Sequence, residues 1–182
     1  MVIRIAMVAG EASGDLLASH LIRALRRHLP EVEFYGIGGP KMQREGFRAM
    51  WPCERLAVHG YVDALKRYRE LSSIRRGLLS VMLKDPPDAF IGVDAPDFNL
   101  WLEERMKKAG VPAIHFVSPS IWAWRAGRLE KIVRSVTHLL CLFPFEPALY
   151  KDRSIAVSYV GHPFADELPL HPDREAMREQ LA

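Results

Sequence analysis

At its centre the chain reads Ala89-Phe90-Ile91-Gly92-Val93-Asp94-Ala95-Pro96-Asp97-Phe98-Asn99. The first five residues form a short apolar run, which is typical of a strand covered on both faces of a parallel sheet. Asp94 ends this run, and the spacing of apolar residues becomes helical at Phe98. Because open α/β sheets bind ligands outside the carboxyl ends of their strands, Asp94 is a candidate general base.

The same alternation of apolar runs and helical segments continues on both sides of this stretch. Apolar runs predict strands over residues 2–9, 32–37, 89–93, 113–117, 137–143 and 154–160. Helical spacing predicts helices over residues 14–29, 61–83, 98–108, 125–134 and 173–182. We also expect a short helix after Pro40 and a break of the long helix near Gly77. The alternation predicts an α/β fold with a doubly wound, mostly parallel, Rossmann-like sheet and helices on both faces.

The composition is that of an ordinary soluble domain. The chain has 182 residues, is 49% hydrophobic and carries 25 basic against 22 acidic residues, which gives no argument for nucleic-acid binding. Cys53 and Cys141 show no metal-ligand spacing, so we expect free thiols in a reducing cytosol. We find neither a signal peptide nor an apolar stretch long enough to span a bilayer.

The turn after the first strand, residues 10–15, reads Gly-Glu-Ala-Ser-Gly-Asp and offers Ser13 as a helix N-cap. Small residues at a helix N-terminus usually suggest an anion site. This turn, however, matches neither glycine-rich nucleotide motif, and Glu11 and Asp15 would repel a phosphate. A loop that binds sugar hydroxyls fits the charges better, and a tight turn with a helix cap fits the pattern equally well.

The two carboxylates around Pro96 have different predicted tasks. Asp97 is well placed to N-cap the following helix, a role worth about 1 kcal/mol. Asp94 has no such structural task. A carboxylate at an apolar strand end tends to have a raised pKa, which suits a base near neutral pH. A purely structural aspartate is the alternative.

The loop after the predicted strand 113–117 concentrates aromatic and polar side chains. Its candidate ligand contacts are Ser118, Ser120, Trp122, Trp124 and Arg125. Tryptophan faces stack on sugars and line acyl grooves, and an arginine pairs bidentately with phosphate. The alternative places both tryptophans in the core and the arginine on the surface. We favour binding because the loop follows a strand at the ligand side of the sheet.

The helix predicted from residue 61 is basic and amphipathic. Its apolar residues are Tyr61, Leu65, Tyr68, Leu71 and Ile74, with Lys66, Arg67, Arg69, Arg75 and Arg76 between or beside them. Such helices can lie on an anionic membrane surface. The pattern alone nevertheless favours a helix with one side in the core and the other in solvent.

Four motifs in order resemble the lipid-A-disaccharide synthase family. They are residues 10–15, residues 92–99, residues 118–125 and Gly161-His162-Pro163. Each motif alone is weak, but all four in this order are highly specific. The similarity extends from Ile3 to about Ala182.

The resemblance implies a glycosyltransferase-B fold, in which two Rossmann-like halves enclose a cleft. The implied reaction transfers 2,3-diacylglucosamine from its UDP donor to 2,3-diacylglucosamine 1-phosphate (lipid X). It inverts the anomeric carbon, makes a β(1→6) bond in lipid A biosynthesis, and needs neither metal nor cofactor. The implied partners are UDP-2,3-diacylglucosamine, lipid X and the inner-membrane surface, together with a homodimer of the full-length protein, and no nucleic acid.

The resemblance also assigns roles to residues. Asp94 matches the proposed base that deprotonates the acceptor 6-hydroxyl. The implied substrate contacts are Glu11, Ser13, Asp15, Asp97, Asn99, Ser118, Ser120, Trp122, Trp124 and Arg125. The implied membrane contacts are Tyr61, Leu65, Tyr68, Leu71 and Ile74. This context reverses our interpretation of the helix and predicts a cytoplasmic protein, peripheral on the cytoplasmic face of the inner membrane.

The chain departs from the family in length, because the family's chains are much longer and their second half carries the donor site. We therefore expect residues 1–164 to form the N-terminal, acceptor-binding domain. Residues 165–182 would form a linker and the start of a donor-binding domain. Alone, the chain should lack transferase activity. The alternative function is a non-catalytic membrane-surface domain that binds anionic lipid or lipid X.

Overall fold

The sheet at the centre of the molecule contains seven strands, all parallel to their neighbours. In a computed structural model, residues 2–56, 61–120, 127–171 and 178 are described, with only the backbone of Glu54 and residues 61–67. The strands are β1 Arg4–Ala9, β2 Glu33–Gly38, β3 Phe47–Pro52, β4 Ala89–Val93, β5 Ala113–Phe116, β6 His138–Cys141 and β7 Ala156–Tyr159. Their order is β3-β2-β1-β4-β5-β6-β7.

Helices cover both faces of this sheet. Those that lie within the described parts of the chain with both ends are α1 Ala12–His28, α2 Pro40–Arg44, α3 Tyr61–Lys84, α4 Pro96–Lys108, α5 Arg128–Ser135 and α6 Phe164–Glu167. Two 3₁₀ turns, Cys53–Arg55 and Glu146–Tyr150, lie in the connections. The prediction of a doubly wound α/β fold is therefore confirmed.

Strand β1 shows why two apolar layers form. Successive side chains of a strand point to opposite faces. On one face Ile5 and Met7 pack with α1, and on the other Ala6 and Val8 pack with α3 and α4. A continuous apolar run therefore supplies both layers of the core, as expected for a central parallel strand.

Two elements differ from the prediction. The connection after α2 contains β3, which the sequence did not reveal because its burial alternates at the edge of the sheet. Helix α3 continues through Gly77 without a break. A methyl group on Gly77 would lie 3.6 Å from the Trp51 ring. That distance is an ordinary van der Waals contact, so an alanine would also fit here, and the glycine does not end the helix.

Near the end of the chain, Gly161-His162-Pro163 leads into the short helix α6. The predicted helix over residues 173–182 lies outside the described residues except for Arg178. The domain boundary after residue 164 stays a prediction. Cys53 and Cys141 are both buried, and no disulfide joins them.

The strand order reverses between β1 and β4, which are hydrogen-bonded neighbours in the middle of the sheet. The connections that leave the carboxyl ends of two such strands diverge toward opposite faces and open a crevice between them. Here the crevice lies between the turn at residues 10–11 and the turn at residues 94–95. The fold therefore brings the first loop and Asp94 to one edge of the sheet.

Candidate active site

A pocket of about 520 Å³ occupies this crevice. Five parts of the chain form its wall: the two turns, the connection after β3, the middle of α3 and the first turn of α4. The wall consists of Glu11, Leu56, Tyr68, Leu71, Ser72, Arg75, Asp94, Ala95, Pro96, Asp97 and Phe98. Apolar side chains thus face carboxylates and one cation, an arrangement that suits a ligand with both apolar and polar parts.

Asp94 stands on a backbone that most residues avoid. Its φ is 50° and that of Ala95 is 42°, so two consecutive non-glycine residues are left-handed. Such conformations persist when surrounding contacts over-determine them, and they concentrate at functional sites. Here the Asp94 N–H donates to the Phe116 carbonyl at 2.9 Å. The side chain of Asp94 is consequently held half-buried at the pocket wall.

Asn99 supports this turn from below. It is fully buried, and its Nδ2 donates to the carbonyl of Asp94 at 2.8 Å, with longer contacts to the carbonyls of Val93 and Val8. The expected substrate contact of Asn99 is corrected by this geometry, because the amide is used inside the protein. Asn99 positions Asp94 instead.

A buried acid–base pair lies beside the same strand. Glu103 Oε1 and His115 Nδ1 are 2.6 Å apart, and both side chains are fully buried. Burial raises the pKa of Glu103 above its usual range, while the imidazole opposes that rise. Gly92 makes room for this pair, since a methyl group there would overlap Glu103 Oε1.

Asp97 does not cap α4. The left-handed turn lets the helix start at Pro96, so that Ala95 occupies the N-cap position and Asp97 falls in the first turn. The prediction of an N-cap was wrong for this reason. Both carboxylate oxygens of Asp97 instead accept hydrogen bonds from Arg128 Nη2, at 2.6 and 2.8 Å. Asp97 therefore joins the pocket wall to α5.

The first loop brings Glu11 to the pocket wall, where its side chain is exposed. Helix α1 begins at Ala12, with Glu11 at the N-cap position and no side-chain cap. The prediction of Ser13 as N-cap was therefore wrong. Ser13 lies exposed in the first turn of α1, and its contact with substrate stays a prediction.

Asp15 has a structural role that the sequence did not reveal. The residue is 2% exposed, and its carboxylate accepts N–H groups from Gly39, Lys41 and Met42, each at 3.0 Å. These donors belong to the first turn of α2 and the residue before it. Because a carboxylate at a helix N-terminus is favourable and all three bonds point inward, Asp15 ties α1 to α2. This corrects its predicted contact with substrate.

The loop after β5 is described only up to Ser120. Ser118 is buried, and its hydroxyl lies 3.0 Å from that of Tyr150, so the predicted substrate contact of Ser118 is corrected. Ser120 is exposed and outside the pocket wall. Trp122, Trp124 and Arg125 fall outside the described residues, and their roles stay predictions.

The predicted membrane contacts on helix α3 differ in how far they are buried. The side chains of Tyr61 and Leu65 are outside the described residues. Ile74 is only 6% exposed and packs in the core, which corrects its predicted membrane contact. Leu71 is partly buried and lines the pocket, whereas Tyr68 is 63% exposed at the pocket rim.

Arg75 lines the pocket, although the sequence assigned it no role in ligand binding. Its guanidinium lies 4.3 Å from the centroid of Trp101 and 5.9 Å from that of Phe98. Burial lowers the pKa of Arg75, and the neighbouring cations Arg105 and Arg76 act in the same direction. The alternation of basic and apolar residues could only suggest that one cation of α3 turns inward.

Comparison with known proteins identifies the family. A family model described as lipid-A-disaccharide synthetase matches residues 5–182. The chain belongs to the lipid-A-disaccharide synthase family. A lipid-A-disaccharide synthase of Aromatoleum aromaticum is 75% identical over 182 residues, which is 100% of this chain and 46% of the relative. That of Azoarcus sp. is 73% identical over 98% of this chain and 46% of its own length. The chain thus spans about half the length of the curated relatives it matches.

Solved structures with the same fold belong to glycosyltransferases. Arabidopsis thaliana UGT89C1, complexed with UDP, has a TM-score of 0.53 and 17% identity, covering 94% of this chain and 50% of its own. Medicago truncatula UGT71G1, complexed with UDP-glucose, has a TM-score of 0.57 and 10% identity, covering 98% and 56%. These likenesses concern the fold alone. They agree with the prediction of one Rossmann-like half of a glycosyltransferase-B architecture, as the family assignment requires.

Proposed function

We propose that this member of the lipid-A-disaccharide synthase family provides the acceptor side of a transferase that links 2,3-diacylglucosamine from UDP to lipid X. The observation that carries the proposal is the position of Asp94, at the wall of a mixed apolar and polar pocket where β1 and β4 diverge. The donor is assigned to the part of the family's chains that this sequence does not match. The product is the β(1→6) disaccharide 1-phosphate of lipid A biosynthesis.

The chemistry assigned to Asp94 is general-base catalysis. Its carboxylate takes the proton of the acceptor 6-hydroxyl while that oxygen attacks the anomeric carbon of the donor. The bond from the anomeric carbon to UDP breaks, UDP leaves with the electron pair, and the configuration inverts. A single fixed base suits this step, because the proton is removed only as the new bond forms. The rigid turn around Asp94 supports the assignment.

The walls of the pocket support an acylated acceptor. Leu56, Leu71 and Phe98 present apolar surface, and Asp94 lies among them at the strand end. We assign the sugar of lipid X to the Asp94 side and the first part of its acyl chains to the apolar wall. Glu11 and Asp97 remain proposed contacts at the rim.

A transfer assay tests the function. The chain would be joined to the part of the Aromatoleum aromaticum relative that it does not match, which gives a chimera of full length. We expect the chimera to form the disaccharide 1-phosphate from UDP-2,3-diacylglucosamine and lipid X, and the 182-residue chain alone to form none. Turnover by the 182-residue chain would contradict the division into acceptor and donor parts.

A second candidate function is a non-catalytic domain that binds anionic lipid at a membrane surface. Tyr68 favours it, because a large ring stands 63% exposed on a helix that also carries exposed Arg69 and Arg76. Aromatic rings and cations together favour membrane interfaces. No helix in the described parts of the chain is both long and apolar enough to cross a bilayer. The exposed ring and cations of α3 support attachment to the surface through this helix.

Vesicle binding tests the attachment. We expect Tyr68→Ser to weaken partitioning into phosphatidylglycerol vesicles by roughly tenfold, since the exposed ring contributes about 1–1.5 kcal/mol when it leaves water. Val81→Ser is the matched control, because Val81 is 40% exposed nearer the other end of the same helix. Sedimentation with vesicles measures both variants. Equal partitioning of the two variants would contradict a contact through Tyr68.

A further inference from the structure

The α3 side of the pocket carries a cation that has no acidic partner among the described residues. Arg75 lines the pocket, and its buried Nε has no hydrogen-bond partner among the described residues. The neighbours that influence its charge are two further cations, Arg105 and Arg76, and the hydroxyl of Tyr68. An arginine stays protonated even when partly buried, so this charge is present at neutral pH.

The nearest acidic residues of the rim and of α3 are engaged elsewhere. Asp97 is paired with Arg128 through both oxygens, and Glu70 of α3 lies 3.4 Å from Arg55 Nε. Glu11 and Asp94 line the pocket, but neither accepts a bond from Arg75 Nε. Within the part of the chain that the structure describes, this half-buried guanidinium therefore has no carboxylate of the kind that usually accompanies one.

The guanidinium is also held in place before any ligand arrives. The guanidinium carbon of Arg75 lies 4.3 Å from the centroid of the Trp101 ring, and that of Arg105 lies 3.5 Å from the same centroid. Arg105 Nη1 donates to the Trp101 carbonyl at 2.9 Å, which fixes that residue along α4. Stacking on an aromatic face leaves the edge of a guanidinium free for hydrogen bonds. The planar donor fork of Arg75 is thereby preorganised.

We propose that Arg75 recognises the phosphate monoester of the acylated sugar acceptor and so sets the specificity of this pocket for a phosphorylated lipid. The inference rests on the proposed function and names the residue that binds the phosphate of the acceptor. In a glucosamine 1-phosphate the phosphate is on C1 and the hydroxymethyl group is on C5, the two carbons that flank the ring oxygen, so the anion and the reacting 6-hydroxyl occupy separate positions on one sugar. The pocket has the matching polarity, with the Asp94 carboxylate on the strand side and a guanidinium on α3.

The position of Arg75 separates this role from general attraction to anionic lipid. Arg76, the next residue, is exposed and donates its Nε to the Ser72 carbonyl at 3.2 Å. It carries the same charge on the same helix but does not belong to the pocket wall. A membrane surface would use both cations, whereas a ligand in the pocket would use Arg75 alone.

Binding of two lipids to the 182-residue chain tests the proposal. The probes are lipid X and the same diacylglucosamine without its phosphate, each in nonionic micelles, measured by calorimetry. We expect Arg75→Met to weaken lipid X binding by about 10- to 100-fold, the usual value of a charge-assisted pair. Binding of the lipid without phosphate should change by less than about threefold. Arg76→Met should leave the preference for lipid X intact.

Further measurements decide between the alternatives. The phosphorus-31 shift of bound lipid X should move toward its free value in Arg75→Met, which a merely structural role would not produce. Equal losses on both lipids, or no binding of lipid X by the wild-type chain, would overturn the proposal. If the Arg75 and Arg76 variants lost binding to phosphatidylglycerol vesicles equally while binding of lipid X stayed unchanged, Arg75 would contact the membrane and not the acceptor phosphate. Transfer by the chimera is scored separately, so the proposed function can stand if Arg75 fails.

Discussion

Asp94→Asn should lower the turnover number of the chimera by about 10²–10⁴-fold, the usual contribution of a general base. The amide has nearly the size of the carboxylate but cannot accept the proton of the attacking hydroxyl. Asparagine tolerates the left-handed backbone that Asp94 adopts at φ 50°, so the turn should keep its shape. The Michaelis constant for lipid X should consequently change little, and steady-state kinetics separates the two parameters.

A control at the other end of the same strand isolates the effect. Asp88 accepts the N–H of Arg4 at 2.7 Å, just before β4 begins and far from the pocket. Asp88→Asn keeps an oxygen for that bond and should leave turnover within about twofold. Thermal unfolding of both variants shows whether the fold is intact. Turnover close to that of the parent in Asp94→Asn would remove Asp94 from the mechanism.

Gly92→Ala should destabilise the chain by about 3–5 kcal/mol, the sum of overpacking and the disturbance of a buried pair. The added methyl group would overlap Glu103 Oε1 and lie 2.9 Å from Asn99 Cβ. Neither neighbour can retreat, because Glu103 is held by His115 and Asn99 by three carbonyls. Since domains are stable by only about 5–15 kcal/mol, much of the chain should unfold on mild warming.

Gly127→Ala is the matched glycine control. No described residue lies within 4 Å of the methyl group it would add, and the φ of Gly127 is −65°, which alanine adopts freely. Urea unfolding should place this variant within about 1 kcal/mol of the parent. If Gly92→Ala unfolded at the same urea concentration as Gly127→Ala, the strand would be able to yield, and the packing argument would be wrong.

The features that could be predicted are those that depend on residues close together in the sequence. The position of Asp94 at a strand end followed from the apolar run 89–93, and α3 followed from helical spacing over more than six turns. β3 was missed because an edge strand of alternating burial lacks a continuous apolar run. The capping positions of α1 and α4 were misplaced because the local backbone conformation, not the side-chain type, decided where each helix begins.

The errors at the site have a common physical cause, which is distance along the chain. Asp15 looked like a ligand contact because its three backbone donors lie 24 to 27 residues further along. Asn99 looked like a polar residue at the mouth of a strand, whereas its partners include Val8 on another strand. Arg75 looked like a solvent-facing cation because its aromatic partners belong to α4. Only the packed sheet brings these groups together.

The position of β1 between β2 and β4 has a consequence for how the chain acquires its structure. β1 cannot gain its second neighbour until β4 exists, and contacts such as Arg4 with Asp88 close a loop of 84 positions. Pairings this far apart form slowly, and the unpaired edge stays exposed to other chains meanwhile. Among the strand pairings of this sheet, β1 with β4 joins the residues that lie furthest apart in the sequence, so the seam that holds the pocket should be among the slower parts to close. Refolding yield at high protein concentration should therefore depend more on substitutions along β1 and β4 than on those along β3.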